Sequence, residues 1–267
     1  MPSANPRRVV EQFCSRFPEQ LVALTRIASG KNSSNFEIKR SLKSLHEESH
    51  RLKGAAYCMG FPILGAQFYR LEQDTDSLLK SKEDITPRLM ERIYLDLSKI
   101  AKLRHYVDPD QSKLVQSYEN PTPRALHADD AVMLRKLLNA QRILFVEDDI
   151  SVRNLVRELL TDIGVGDVSM ASSGQEALDL MRTYTPSIVI SDWHMQPIDG
   201  LALLKKVRSG QARIPSQTPI IFLTSENNAE KIHTVIRNGV DHVLVKPFNR
   251  SGVMRAIARI AQQQRPH

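Results

Sequence analysis

Apolar residues in the first part of the chain follow a helical pattern. From Pro6 to about Val107 they recur at intervals of three and four along extended segments. Such spacing gives each helix one apolar face, and helices joined by short connections pack as antiparallel neighbours. The segments are interrupted at residues 29–35, 60–62 and 80–87. Residues 1–107 are therefore predicted to form an antiparallel four-helix bundle.

The pattern changes after Gln141, where short apolar runs alternate with amphipathic segments. The runs are RILFV, VSMA, SIVIS, PIIFLT and HVLVK, and the amphipathic segments begin near Ser151, Gly174, Gly200, Asn227 and Asn249. Five such pairs favour a doubly wound, five-stranded parallel sheet. Residues 141–267 are thus predicted to form an α/β domain, which makes the whole chain a multidomain protein with one α and one α/β domain.

The segment between these two regions is polar. Residues 108–127 contain three prolines, and a polar stretch with prolines is typical of a linker. Apolar residues then return at helical spacing, as Val132, Met133, Leu137 and Leu138. We therefore predict a linker over residues 108–140 that includes a short helix.

Composition narrows the class of protein. The net charge of +7 comes from 37 basic and 30 acidic residues and is spread thinly, without a basic run, so nucleic-acid binding is not expected. No apolar run approaches the ~20 residues of a membrane helix, and the N-terminus lacks the apolar region of a secretory signal. Cys14 and Cys58 provide neither a disulfide framework nor a CxxC pair. A cytoplasmic protein without membrane insertion is expected.

Four of the predicted strands end in residues that carry chemistry. These residues are Glu147 and Asp148, Asp192, Thr224 and Lys246. Because the carboxyl ends of parallel strands meet at one edge of the sheet, their side chains are expected to lie together. Clustered carboxylates repel one another unless a cation lies among them, and oxygen ligands suit Mg²⁺. The sequence therefore predicts a magnesium site beside a lysine and a hydroxyl group.

The motifs VEDD, SDWHMQPIDG, FLTSE and LVKPF, in this order, resemble those of the receiver domain of two-component response regulators along residues 141–263. The resemblance implies a flavodoxin-like fold in which Asp192 is the phosphoryl acceptor. It also implies that Glu147, Asp148 and Asp192 hold Mg²⁺ together with the main-chain carbonyl of His194.

The same resemblance assigns roles to the other strand-end residues. Thr224 would hydrogen-bond the bound phosphoryl group, Lys246 would pair with it, and the bond between Lys246 and Pro247 is expected to be cis. One position departs from the family, because Val243 stands where an aromatic switch residue is usual. The resemblance therefore does not carry over the common coupling between threonine movement and aromatic burial.

The stretch HEESH, residues 46–50, matches the HExxH pattern in which two helical histidines, here His46 and His50, hold zinc in a peptidase. Such a site needs a third protein ligand. Glu72, 22 residues beyond His50, is only a formal candidate. A lysine at position 53 also disfavours a zinc ion beside His50. The zinc peptidase is therefore the less favoured hypothesis for this helix.

The segment HRLKGAAYCMG, residues 50–60, also fits the pattern HxxKGxxxxxG, and it resembles histidine-containing phosphotransfer (HPt) domains, which are four-helix bundles. A helical wheel places His50 about 130° from the apolar seam, so its imidazole is expected to be exposed. The resemblance implies that His50 carries a phosphoryl group, that Lys53 helps to stabilise it, and that Gly54 permits close approach of a receiver.

Together the two resemblances predict a phosphorelay signalling protein that accepts and passes phosphoryl groups through His50 and Asp192. The expected partners are a sensor histidine kinase, of the hybrid type that carries its own receiver, and another receiver or phosphotransfer protein. The chain is not expected to be an enzyme, although a receiver catalyses its own phosphorylation with Mg²⁺. The alternative is a response regulator phosphorylated only on Asp192, whose helical domain is a protein-binding or dimerisation adaptor.

Overall fold

The structure is a computed structural model that describes residues 6–29, 35–81, 87–119, 128–225, 229–246 and 248–264. The chain divides into two compact units, a helical one over Arg7–Glu119 and one that includes Asn120–His267 and contains the sheet. Within the described residues, no helix combines the length and apolar character needed to cross a membrane. The predicted pairing of an α and an α/β unit is confirmed.

Four long helices form the main part of the helical unit. They are α1 (Pro6–Ala28), α2 (Asn35–Cys58), α3 (Pro62–Lys80) and α4 (Pro87–Lys102). The predicted seam is buried, namely Leu42, Leu45, Ser49, Leu52 and Ala56 of α2 and Met59 just beyond its end. Aromatic rings contribute to the core, where Phe13 stacks on Phe17 with 6.1 Å between ring centroids and Phe17 meets Phe68 edge-on at 6.3 Å.

The helical unit continues beyond the predicted boundary at residue 107. The added elements are two 3-10 helices, Arg104–Tyr106 and Pro109–Gln111, and helix α5 (Lys113–Glu119). Leu114 and Val115 of α5 are buried. The structure therefore differs from the predicted linker start at residue 108, because these two apolar side chains hold an otherwise polar segment in the helical unit.

Gly60, just after the end of α2, allows this segment to approach closely. It has a φ of +82°, and an added Cβ would lie 2.4 Å from the main-chain nitrogen of Leu114. Ser112 Oγ donates a hydrogen bond of 2.6 Å to the carbonyl of Met59, and the N–H of Lys113 donates one of 3.0 Å to the carbonyl of Gly60. A residue with a side chain at position 60 would be strained and would displace the segment.

We expect a fragment of residues 1–107 to be less stable than a fragment of residues 1–119. Removing α5 uncovers the apolar surface beneath Leu114 and Val115, and burying one such side chain contributes about 1.5–3 kcal/mol. Urea unfolding followed by circular dichroism should give a lower midpoint for the shorter fragment. Leu114→Ala in the longer fragment is the control and should give an intermediate midpoint. Equal midpoints for the two fragments would show that α5 does not stabilise the bundle.

The second unit is built on a five-stranded parallel sheet. Helix α6 (Ala128–Asn139) precedes the sheet, whose strands are β1 (Arg142–Val146), β2 (Asp167–Ala171), β3 (Ile188–Asp192), β4 (Ile220–Thr224) and β5 (His242–Val245). Their order in the sheet is β2-β1-β3-β4-β5. The alternating helices are α7 (Ile150–Asp162), α8 (Gly174–Leu180), α9 (Gly200–Arg208), α10 (Ala229–Arg237) and α11 (Arg250–Gln263). The doubly wound fold is therefore confirmed.

The central strands of the sheet are buried on both faces. Every residue of β3 and β4 is buried, and in β1 only Arg142 is exposed. Helices that cover both faces of a sheet explain why its strands are uninterrupted apolar runs in the sequence. The chain connections reverse direction between β1 and β3, and in such sheets ligands bind beyond the carboxyl ends of the strands at this point.

Helix α6 belongs to the sheet unit. Its Leu137 packs with Ala258 and Ala261 of α11 in a small apolar cluster. Val132 and Met133 are more than half exposed. The short helix predicted from the apolar spacing is present, but only part of that apolar pattern is used in packing against the rest of the unit.

Candidate functional site

Three carboxylates meet at the carboxyl ends of β1 and β3. One oxygen from each of Glu147, Asp148 and Asp192 lies within 4.8 Å of the others. Glu147 and Asp192 are buried, whereas Asp148 is exposed. Within the described part of the chain, no other group of three histidine, cysteine or acidic side chains is arranged to hold a metal ion. The side chains predicted to bind Mg²⁺ are therefore brought together.

The loop after β1 is fixed by hydrogen bonds. Asp149, the third acidic residue of VEDD, caps α7 by accepting from two main-chain N–H groups at 2.8 and 3.1 Å. Arg153 Nη1 donates to the carbonyl oxygens of Glu147 and Asp148, at 2.6 and 2.8 Å. These bonds hold Glu147 and Asp148 at the strand edge, and capping by Asp149 stabilises the start of the helix.

Lys246 brings a positive charge into the carboxylate cluster. Its Nζ lies 3.0 Å from Glu147 Oε2 and 3.5 Å from Asp192 Oδ2, and the lysine side chain is buried. The other oxygen of Asp192, Oδ1, accepts a hydrogen bond of 2.9 Å from the main-chain N–H of Trp193. Thr224 is fully buried at the end of β4, the strand that pairs with β3. All four predicted strand ends thus contribute to one edge.

Two carboxylates of this cluster, those of Glu147 and Asp148, have raised pKa values. Burial raises the pKa of Glu147, and Asp192 and Asp149 raise it further against the opposing effect of Lys246. Burial also raises the pKa of Asp148, with Asp192 and Asp149 again adding to the effect. A hard cation among these oxygens would relieve the repulsion, and an all-oxygen donor set with three carboxylates suits Mg²⁺.

Several predicted details of this edge concern individual residues. The ring of His194 is exposed and stacks on Trp193 with 5.0 Å between centroids. Its carbonyl stays a predicted metal ligand. Val243 is half-buried and packs against the core of the unit, as a small residue at the usual aromatic position would. The predicted cis bond between Lys246 and Pro247 lies outside the described residues, because Pro247 is not among them.

The second candidate site lies between α2 and α3. His50 Nδ1 is 2.5 Å from Glu72 Oε1, and Lys53 Nζ is 2.7 Å from Glu72 Oε2. The side chains of His50, Lys53 and Glu72 are 24%, 5% and 9% exposed. The imidazole is therefore less exposed than the helical wheel predicts, because α3 covers one side of it. Gly54 is also buried rather than open.

Glu72 fixes the arrangement of protons at this site. Burial alone would raise the pKa of Glu72, but the hydrogen bond with His50 and the charge of Lys53 lower it to about 2. An ionised carboxylate can only accept hydrogen bonds, so the hydrogen-bond network assigns the proton to Nδ1 of His50. In the neutral ring, the lone pair is then on Nε2.

Lys53 approaches the ring of His50 from the side of Nδ1. Its Nζ is 3.5 Å from that atom and is buried next to Glu72. The expected contact between Lys53 and a phosphoryl group stays a prediction. What the geometry supports is an indirect effect, in which Lys53 acts on His50 through the carboxylate that they share.

From the sequence, Glu72 was a candidate only as a third zinc ligand, and its pairing with His50 and Lys53 was not predicted. His46 does not join His50 in a metal site, because its Nδ1 lies 3.3 Å from Thr75 Oγ1 and 3.3 Å from the carbonyl oxygen of Glu72. His46, His50 and Glu72 do not form a metal-binding group among the described residues. The sequence does contain a glutamate at position 72 on the helix that follows, but spacing alone does not show that this glutamate pairs with His50.

We expect Glu72→Gln to destabilise the helical unit at neutral pH and to have little effect near pH 2. The pKa of Glu72 in the folded protein, about 2, lies below its ordinary value of 4.5. Its contribution to stability is therefore present above pH 4.5 and is lost as the pH falls towards 2. A pKa difference of this size corresponds to about 3 kcal/mol. Urea unfolding of both proteins between pH 7 and pH 2.5 measures the change.

Glu48→Gln is a matched control, since Glu48 pairs with Arg51 on the partly exposed side of the same helix. It should change the stability by less than about 1 kcal/mol. Trp193 is the single tryptophan and lies in the sheet unit. Its fluorescence therefore reports the unfolding of the sheet unit, which can be distinguished from the unfolding of the helical unit. If the difference in the free energy of unfolding between wild type and Glu72→Gln stays constant over this pH range, the pairing of Glu72 with His50 and Lys53 is contradicted.

Comparison with known proteins identifies two domains in the chain. Residues 143–258 match the family model described as the response regulator receiver domain, and residues 8–107 match the one described as the Hpt domain. A chemotaxis protein CheY homolog of Campylobacter jejuni is 35% identical over 108 residues, which cover 40% of this chain and 82% of that protein. Among solved structures, chemotaxis protein CheY4 of Vibrio cholerae is 33% identical at a TM-score of 0.42, covering 45% of this chain and 98% of that one. The Francisella response regulator 1452 receiver domain is 26% identical at a TM-score of 0.43, covering 47% and 99%.

Proposed function

The chain belongs to the receiver family of two-component response regulators and also carries an Hpt domain, and from this premise we propose that it relays phosphoryl groups through Asp192 and His50. The observation that supports the proposal most strongly is that each unit contains a nucleophile with a lysine nearby. Lys246 lies beside Asp192, and Lys53 shares Glu72 with His50.

In the receiver, Asp192 would accept a phosphoryl group from a phosphohistidine donor. Glu147, Asp148 and Asp192 would hold Mg²⁺, with the carbonyl of His194 as a further ligand, and the bound ion would neutralise charge on the phosphoryl oxygens. An oxygen of Asp192 attacks phosphorus, the new O–P bond forms as the N–P bond breaks, and the electron pair of the broken bond stays on the donor imidazole.

Two further side chains would stabilise the phosphorylated receiver. Lys246 already lies within 3.5 Å of an oxygen of Asp192, so a small movement away from Glu147 would pair it with the phosphoryl group. Thr224 at the end of β4 would donate its hydroxyl hydrogen to a phosphoryl oxygen. Since the main-chain N–H of Trp193 holds Oδ1 of Asp192, the carboxylate is oriented before the reaction begins.

In the helical unit, Nε2 of His50 would attack the phosphorus of an aspartyl phosphate on a receiver. The N–P bond forms as the O–P bond breaks, and the electron pair leaves with the partner's carboxylate. The proton on Nδ1 stays on the ring, where its hydrogen bond to Glu72 stabilises the positive charge that develops on the imidazole. Lys53 compensates the charge of Glu72 in the resting state.

The proposed partners follow from this chemistry. A sensor histidine kinase of the hybrid type would supply a phosphoryl group, and a further receiver or phosphotransfer protein would accept it. Such relay contacts are expected to be small and short-lived. The proposal includes a cytoplasmic location, in which the thiols of Cys14 and Cys58 would remain reduced.

A phosphotransfer time course with the full chain tests the proposal. A labelled phosphorylated kinase serves as donor, and the label on the chain is divided by its chemistry, since phosphohistidine is stable to base whereas an aspartyl phosphate is cleaved by hydroxylamine. Both kinds of label are expected on the wild type. Label on Asp192 alone would instead favour the alternative in which the helical unit is an adaptor.

A further inference from the structure

Tyr69 on α3 contacts the lysine of the His50 site. The Nζ of Lys53 lies 5.7 Å from the centroid of the Tyr69 ring and 2.7 Å from Glu72 Oε2. Tyr69 and Glu72 are three residues apart, which places them as neighbours on one face of α3. The ammonium group is thus contacted by a carboxylate and an aromatic ring from the same helix.

The contact with Tyr69 adds to the ion pair with Glu72 in fixing the side chain of Lys53. A lysine has a flexible four-carbon stem and a strongly hydrated charge, so it tends to move into water. The face of an aromatic ring attracts an ammonium group within about 6 Å of its centroid. Tyr69 is itself 39% exposed, whereas Lys53 has an exposed fraction of only 5%. The ring therefore lies where it can keep water away from Lys53.

We propose that Tyr69 is a positioning residue for phosphoryl transfer at His50, because it keeps the ammonium group of Lys53 against Glu72. This inference rests on the function proposed above for His50. It assigns to Tyr69 an effect that reaches His50 through Lys53 and Glu72. Tyr69 lies outside the segment HRLKGAAYCMG, so the motif does not identify it.

The expected effect follows from the charges that face His50. The imidazole contacts Glu72 on α3 and Lys53 on α2. The titratable side chains around this pair include His46 beside the carbonyl oxygen of Glu72, Tyr69 beside Lys53, and Tyr57 near Tyr69. If Lys53 leaves Glu72, the negative charge of the carboxylate is less compensated and favours a positively charged imidazole. A protonated ring has no lone pair on Nε2 for attack on phosphorus. Loss of the aromatic ring should therefore slow transfer most strongly at the acidic end of the pH range.

The test compares Tyr69→Leu with Tyr69→Phe in the full chain. Tyr69→Leu removes the aromatic face, and at the acidic end of the pH range it should slow formation of base-stable label by about two- to fivefold, the range that corresponds to a partly exposed cation–π contact. The acidic limb of its pH–rate profile should move to higher pH. Tyr69→Phe keeps the face and should restore both the rate and the profile. Tyr106→Leu removes another exposed tyrosine of the same unit, whose ring lies tilted beside that of His105, and should behave as wild type.

A second measurement is independent of phosphoryl transfer. The ring nitrogens of His50 are followed by NMR during a pH titration of the ¹⁵N-histidine-labelled chain, with the His50 signals identified by their loss in His50→Gln. The titration should move to higher pH in Tyr69→Leu and remain unchanged in Tyr69→Phe. The inference is overturned if the titration and rate of Tyr69→Leu equal those of wild type, or if Tyr69→Phe is as impaired as Tyr69→Leu. A shifted titration in Tyr69→Leu without base-stable label on any variant, wild type included, would support the coupling and overturn the proposed function of His50.

Discussion

Replacing Asp192 with Asn is expected to abolish hydroxylamine-sensitive label on the receiver, with a fall in the rate of about 10⁴-fold or more, as when other nucleophiles are removed. A carboxamide has nearly the shape of the carboxylate but carries no charge and is a poor nucleophile, so no O–P bond forms. The measurement is the time course of labelling of the full chain by a phosphorylated donor, with hydroxylamine applied to each sample.

The same substitution should leave the receiver folded and more stable than the wild type. Asp192 is buried and raises the pKa of Glu147 and Asp148 through its charge, so its neutralisation relieves repulsion. Asp167→Asn is the control, because Asp167 is an exposed residue at the opposite end of a strand, paired with Arg142. If Asp192→Asn still takes up hydroxylamine-sensitive label at the rate of Asp167→Asn, Asp192 is not the acceptor.

Replacing His50 with Gln is expected to abolish base-stable label, again by at least about 10⁴-fold. Glutamine has no ring nitrogen to attack phosphorus, whereas the pair of Lys53 and Glu72 can remain in place, so the bundle should stay folded. The measurement is the fraction of label on the full chain that survives treatment with base after transfer from a phosphorylated receiver.

The matched control is His46→Gln, one helical turn before His50. His46 contacts Thr75 and the main chain of α3 rather than the carboxylate of Glu72, so its replacement should reduce stability slightly and leave base-stable label intact. Label that persists in His50→Gln and disappears in His46→Gln would place the phosphoryl group on the other histidine. Wild-type protein that is labelled only on Asp192 would favour the adaptor hypothesis instead.

The receiver could be predicted closely because its information is local in the sequence. Strands buried on both faces appear as apolar runs, and the residues that follow them must lie at one edge of a parallel sheet. Glu147 and Asp192 therefore belong together once the fold class is known. Helix α7 begins at Ile150 because Asp149 caps it, which is also a local signal.

The helical unit was less predictable because its site joins two helices. A helical period identifies the buried seam of α2, but it contains no information on which residue of α3 faces His50. That depends on how far each helix is rotated about its axis. Glu72 could thus be identified as a partner only from the structure, and the same holds for Tyr69. Helix α5 was missed for a related reason, since the burial of Leu114 depends on the backbone of Gly60.

The sharing of Glu72 by His50 and Lys53 has an electrostatic consequence for the order of events in a relay. When His50 is neutral, the negative charge of Glu72 and the positive charge of Lys53 cancel. A negatively charged receiver therefore meets little long-range repulsion when it arrives. Transfer of a phosphoryl group (PO₃⁻) to His50, with the proton on Nδ1 retained, would add a net negative charge at this surface. The acidic edge of the receiver that has just given up its phosphoryl group would then be repelled. Product release should therefore become slower as salt screens this repulsion, and fastest at low ionic strength.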